Sequence, residues 1–105
     1  MTGHRVLASI ELITTERGGL SNSLPAGTRS ALVRFRGEDN DPISFGAVIT
    51  PTDRSDLTPG ARLPNVELIF WADSARLHAT SGETFDLWYG RVIGHGVVTG
   101  PAVDE

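Results

Sequence analysis

Apolar and polar residues alternate with a period of two along six stretches of this chain, and no segment sustains the spacing of an amphipathic helix. Residues 6–13 place Val6, Ala8, Ile10 and Leu12 on one face and Leu7, Ser9, Glu11 and Ile13 on the other. In residues 31–36, Ala31, Val33 and Phe35 oppose Leu32, Arg34 and Arg36. Residues 43–49 gather Ile43, Phe45, Ala47 and Ile49 on one side. Residues 65–72 set Val66, Leu68, Phe70 and Ala72 against Glu67, Ile69 and Trp71. Residues 84–89 set Phe85, Leu87 and Tyr89 inward and Asp86 and Trp88 outward. The last stretch, 91–99, is interrupted by Gly94 and Gly96, and glycine inside a strand marks a bulge, a corner or a close backbone approach.

Chain breakers separate these stretches: Arg17-Gly18-Gly19, Leu24-Pro25-Ala26-Gly27, the run from Gly37 to Pro42, and Thr58-Pro59-Gly60. Many short strands divided by Gly and Pro predict an all-β sandwich or barrel. Closure into a barrel would also remove exposed strand edges. Residues 73–81 have room for one helical turn. Residues 1–100 read as a single β-barrel domain and 101–105 as a flexible tail.

A chain of 105 residues is enough for one domain. The absence of cysteine excludes disulfides, thiolate metal sites and cysteine nucleophiles, and fits a reducing compartment. The apolar stretch after Arg5 is broken by Ser9 and Glu11, which is no signal-peptide core, and no run approaches the roughly 18 apolar residues of a membrane span. A cytoplasmic protein without membrane contact is the expectation. The net charge of −4 gives no global attraction to nucleic acid, so any such binding needs a local basic patch. Every basic side chain is Arg, and neither the Lys nor the glycine spacing of a P-loop is present, so no bound nucleotide is expected.

Two blocks resemble the C-terminal β-barrel domain of elongation factor Tu, its domain 3. The first runs Leu12-Ile13-Thr14-Thr15-Glu16-Arg17-Gly18-Gly19 and continues in Leu24-Pro25-Ala26-Gly27-Thr28-Arg29. The second runs from Gly82 through Phe85-Asp86-Leu87-Trp88-Tyr89-Gly90-Arg91 to Val92-Ile93-Gly94-His95-Gly96-Val97-Val98. Pro59-Gly60 is similar to the family's Pro-Gly-Asp turn before the fourth strand. The order and spacing of these blocks agree along nearly the whole chain. The resemblance implies a six-stranded antiparallel Greek-key barrel, found here without the GTP-binding domain, so hydrolysis is not carried over.

In the family this domain packs on its neighbours and helps to hold the T stem of aminoacyl-tRNA. An Arg-Glu pair ahead of the glycine turn contributes to that contact, and Trp88 and Tyr89 stand at those positions here. The turn is one residue shorter. Arg29 survives from the family's Gly-Tyr-Arg-Pro-Gln run, whereas Thr28, Ser30 and Ala31 replace the Tyr, Pro and Gln, and Ala61 replaces the Asp after Pro59-Gly60. The resemblance therefore implies a scaffold that is kept and a tRNA surface that is largely lost.

Chemistry-bearing clusters are sparse. His4, His78 and His95 lack metal-ligand spacing, so no metal site is expected. Asp73, Ser74 and His78 are near in sequence but lie in a loop with nothing to orient them, and no Gly-x-Ser-x-Gly elbow occurs. Asp39 and Asp41 sit in a Gly/Asn/Pro turn, where Asp bonds its own backbone; the loop is too short for a calcium ladder. No catalytic residue and no cofactor are assigned.

Two sets of residues remain as candidate binding groups. Leu32, Ile69, Trp71 and Trp88 are large apolar side chains on faces opposite the expected interior, which marks a contact surface. Arg29, Arg34, Arg36 and Arg91 are candidates for gripping RNA phosphates; Arg34 and Arg36 fall about 7 Å apart on one strand face. The leading expectation is a stand-alone, non-catalytic barrel that holds a protein partner or its own copy through an apolar and Arg-bearing face. The alternative is a weak RNA-binding barrel with a reduced tRNA contact. A small hydrolase is the third and least favoured reading.

Overall fold

The computed structural model describes residues 4–29, 31–36 and 42–101, without the side chains of residues 73, 76 and 101. Six strands account for the architecture: β1 (His4–Leu12), β2 (Leu32–Arg36), β3 (Pro42–Pro51), β4 (Arg62–Phe70), β5 (Thr84–Trp88) and β6 (Val92–Pro101). They close into an antiparallel barrel in the order β1-β4-β3-β2-β5-β6. β2, β3 and β4 follow one another as neighbours, and β1 returns beside β4, an order consistent with a Greek key.

Closure follows from the alternation. Val6, Ala8, Ile10 and Leu12 of β1, Val33 and Phe35 of β2, Ala47 and Ile49 of β3, Val66, Leu68 and Phe70 of β4, and Phe85 and Leu87 of β5 are all buried. Fully burying one such large side chain contributes about 1.5–3 kcal/mol. Phe35 is the hub, with its ring centre 5.9 Å from Phe70, 5.8 Å from Phe85 and 6.1 Å from Phe45.

Short connections plug both ends. The 3₁₀ turn Asp73–Leu77 lies at one end, where Ala75 and Ala79 are buried and the His78 ring stacks 6.1 Å from Phe35. Near the other, Leu24 and Leu57 exchange backbone hydrogen bonds of 3.0 and 2.8 Å, and Leu57 is fully buried. A second 3₁₀ turn, Thr15–Arg17, ends at Gly18 with φ 99°, in the Gly-Gly turn read from sequence.

Several boundaries differ from the sequence expectation. β4 begins at Arg62 rather than Asn65, and its extra residue against β1 falls at Pro64 and Asn65, where Ala8 pairs with Val66 but Ile10 with Leu63. Proline fits a bulge because its missing N–H leaves no ladder bond unmade there. Ala72 and Tyr89, expected inside, are exposed, because β4 stops at Phe70 and β5 at Trp88. β6 runs through Pro101, which pairs with Val6; residues 102–105 lie outside the described residues. So does the Asp39 and Asp41 turn. No helix among the described residues is long and apolar enough to cross a membrane.

Candidate binding face

Outward positions on neighbouring strands fall into rows, because antiparallel register sets side chains beside one another. One row is apolar. Leu32 of β2 pairs with Trp88 of β5 on one side and Gly46 of β3 on the other. Trp71, one residue past β4, donates its N–H to the Gly46 carbonyl at 3.3 Å. Its ring lies over Gly46, where a β-carbon would come within 2.5 Å of Trp71 Cε3 and Cζ3. Trp88, Leu32 and Trp71 therefore form one line across the outside of β5, β2, β3 and the end of β4. Ile69 stands one pair along, half-buried between Arg5 and Val48.

The adjacent row is polar: His95, Asp86, Arg34 and Ser44, in register across β6, β5, β2 and β3. His95 Nδ1 and Asp86 Oδ1 are 2.7 Å apart. Arg34 Nε donates to Ser44 Oγ at 3.3 Å, and its guanidinium carbon sits 4.2 Å from the centre of the Trp88 ring. Arg34 thus ties the polar row to the apolar one through a cation–π contact.

The other arginines do not join it as a cluster. Arg36 is exposed at the end of β2 opposite Pro42. Arg29 is exposed in the connection between β1 and β2, directly after Thr28, which bridges to Ile49. Arg91 is exposed in the turn between β5 and β6, where its carbonyl accepts the Tyr89 N–H at 2.8 Å. Among the described residues the arginine ion pairs are Arg5 with Glu67 at 3.2 Å and Arg62 with Glu11 at 3.5 Å.

Sequence reasoning missed Tyr89 and Gly46. Tyr89 is 43% exposed and stands beside the row it was expected to leave for the core. A shallow hollow of about 370 Å³ is lined by Leu32, Trp88, Tyr89 and Gly90. Beyond Tyr89, a second hollow of about 240 Å³ lies between the 19–24 segment, Arg91 and Ile93. An open groove of about 590 Å³ runs between Arg34 and Arg36 on one side and Glu83, Thr84 and Asp86 on the other.

Of the residues weighed for catalysis, His78 is engaged with Phe35 and Phe45, Ser74 is exposed, and the Asp73 side chain lies outside the described residues. No three His, Cys, Asp or Glu side chains converge among the described residues. Away from the barrel wall, hydrogen bonds from the Ser55 hydroxyl and N–H hold the Asp53 carboxyl below its ordinary range. No protein-family model matches the chain, and no curated protein matches it.

Proposed function

We propose that this protein is a non-catalytic binding module on a barrel of the elongation factor Tu domain 3 kind, and that it holds a protein partner or a second copy of itself. The contact wall consists of Leu32, Ile69, Trp71 and Trp88, with Arg34 at its edge. The observation that carries this reading is the row itself. Two Trp and one Leu line up on the outer wall, and Trp71 is left 54% exposed. Aromatic side chains and Arg are the groups enriched at the centres of protein interfaces. Because the ring of strands is closed, a partner cannot add a strand to it and must meet side chains.

Light scattering across concentration, with capture experiments on Trp71→Ala and Trp88→Ala, tests the reading. Self-association or partner capture that both substitutions weaken is the expected result. A strictly monomeric protein that captures nothing overturns it.

A second reading, RNA binding, draws on the Arg34 and Trp88 pair, since a guanidinium stacked on a half-buried, outward-facing ring is a platform for a base. Arg29, Arg36 and Arg91 would supply phosphate contacts. Asp86 and Glu67 share the outer wall and the net charge is −4, which counts against a ligand with a phosphate at every residue. Counterion release makes RNA affinity fall steeply with salt, whereas an apolar contact barely responds, so a salt titration separates the two.

A further inference from the structure

Two hollows that differ in chemistry share Tyr89 as a lining residue. The first is apolar, made by the Leu32 side chain, the Trp88 ring and Gly90. The second carries an arginine and a run of small polar residues, Ser21, Asn22 and Ser23. Among the described residues, the backbone N–H groups of these three make no hydrogen bond with the rest of the backbone. The Ser23 hydroxyl reaches only Thr58 Oγ1, at 3.2 Å. Unbonded amides, hydroxyls and a guanidinium together are the donor set that takes a carboxylate.

Charge points the same way. Arg34 borders the apolar hollow through its contact with Trp88, and Arg91 lines the polar one. Neither has a carboxylate partner among the described residues, although acidic side chains outnumber basic ones, 13 to 9, in the whole chain. Asp86, the acid nearest Arg34 in register, is instead bonded to His95. Arg91 in the polar hollow and Arg34 against the Trp88 ring, neither held by a carboxylate among the described residues, favour an acidic ligand with an apolar side chain.

Resting on the reading of this wall as a binding face, we infer that the two hollows form one site for an acidic peptide segment. An apolar side chain of the segment sits against Leu32 and Trp88. A carboxylate beside it crosses Tyr89 to meet Arg91 and the amides of residues 21–23.

The probe is a capped hexapeptide of alternating aspartate and leucine, followed by two-dimensional amide spectra of the full chain. It should shift the Trp88 indole N–H together with the amides of Ser21, Asn22, Ser23 and Arg91. Arg91→Gln should weaken it about tenfold, as loss of a charge-assisted pair does, while Arg54→Gln, which lines neither hollow, leaves affinity unchanged. Replacing every aspartate by asparagine, or every leucine by glycine, should abolish binding. Equal binding by either control overturns the site, as do shifts confined to Trp71 and Ile69. A single-stranded oligouridylate moving the same resonances in place of the peptide also overturns it. If the peptide binds nowhere but Trp71→Ala and Trp88→Ala still abolish association, the two-part site is wrong and the wall remains a binding face. If neither association nor peptide binding is found, both readings fall.

Discussion

The Trp71 ring occupies the space that a β-carbon on Gly46 would need. Inside the barrel Phe85 stands in the same relation to Gly96, where a β-carbon would come within 2.7 Å of Phe85 Cε1 and 2.8 Å of the Ser9 carbonyl oxygen. The two sites respond differently to an added methyl. Trp71 is 54% exposed and can swing outward, so Gly46→Ala should change stability by less than about 1 kcal/mol. It should still shift Trp fluorescence toward that of a solvated indole and weaken any association through this wall. Phe85 is buried and the Ser9 oxygen is backbone, so Gly96→Ala should cost about 1–3 kcal/mol of overpacking. Urea denaturation of the two variants measures the contrast, and equal losses would contradict the inside–outside distinction.

Phe35 touches three other phenylalanine rings and the His78 imidazole, so it is the position where truncation leaves the largest void. Phe35→Ala should cost about 3–5 kcal/mol. Truncating Phe45, which is only partly buried and lies at the edge of the cluster, should cost less. Denaturation midpoints for the two variants give the order.

The inner faces of β1 to β5 were legible because parity is local: Val6, Ala8, Ile10 and Leu12 need only their own sequence to be assigned to one side, whereas β6, broken by Gly94 and Gly96, received no inner face. Parity fails where the backbone breaks step. Tyr89 keeps the odd numbering of Phe85 and Leu87, but Leu87 pairs with Gly94 and Trp88 with Val92, and Gly90 turns the chain at φ 76°. That irregularity and turn release Tyr89 to the surface. The outward character of Leu32, Ile69, Trp71 and Trp88 was likewise readable residue by residue. Their assembly was not, because it depends on β2 lying between β3 and β5, a neighbour relation between segments about 50 residues apart that chain order does not encode. The meeting of Arg34 with Trp88 and the seating of Trp71 on Gly46 are consequences of that strand order.

Arg34 and Trp88 should be energetically coupled. Both are partly exposed, so a double-mutant cycle with Arg34→Ala and Trp88→Ala should give a coupling of about 0.5–1 kcal/mol. The coupling should resist salt better than that of the exposed Arg62 and Glu11 pair, which high ionic strength screens. A cycle that closes to zero would mean that the ring and the guanidinium are merely adjacent.

The turn between β3 and β4 carries a pH dependence whose sign is fixed by geometry. Ser55 donates to Asp53 Oδ1 from its hydroxyl at 2.7 Å and from its backbone N–H at 3.0 Å. Both bonds favour the ionised carboxyl and lower its pKa from the ordinary 3.8. A folded-state pKa below the unfolded one means that the contribution to stability is present above the unfolded value and is lost as pH falls through the folded one. Ser55→Ala removes the hydroxyl bond, so the Asp53 carboxyl should titrate closer to 3.8 in that variant, as followed by side-chain carbonyl shifts in NMR. The two proteins should differ most at neutral pH and converge in strong acid. Next in the chain, Arg54 has φ 65°, a left-handed conformation that costs a non-glycine residue about 1–2 kcal/mol. Arg54→Gly relieves that strain and loses part of the gain to unfolded-state entropy, leaving a net stabilisation below about 1 kcal/mol. A destabilised Arg54→Gly protein in thermal denaturation would show that the Arg54 side chain contributes more than its backbone conformation costs.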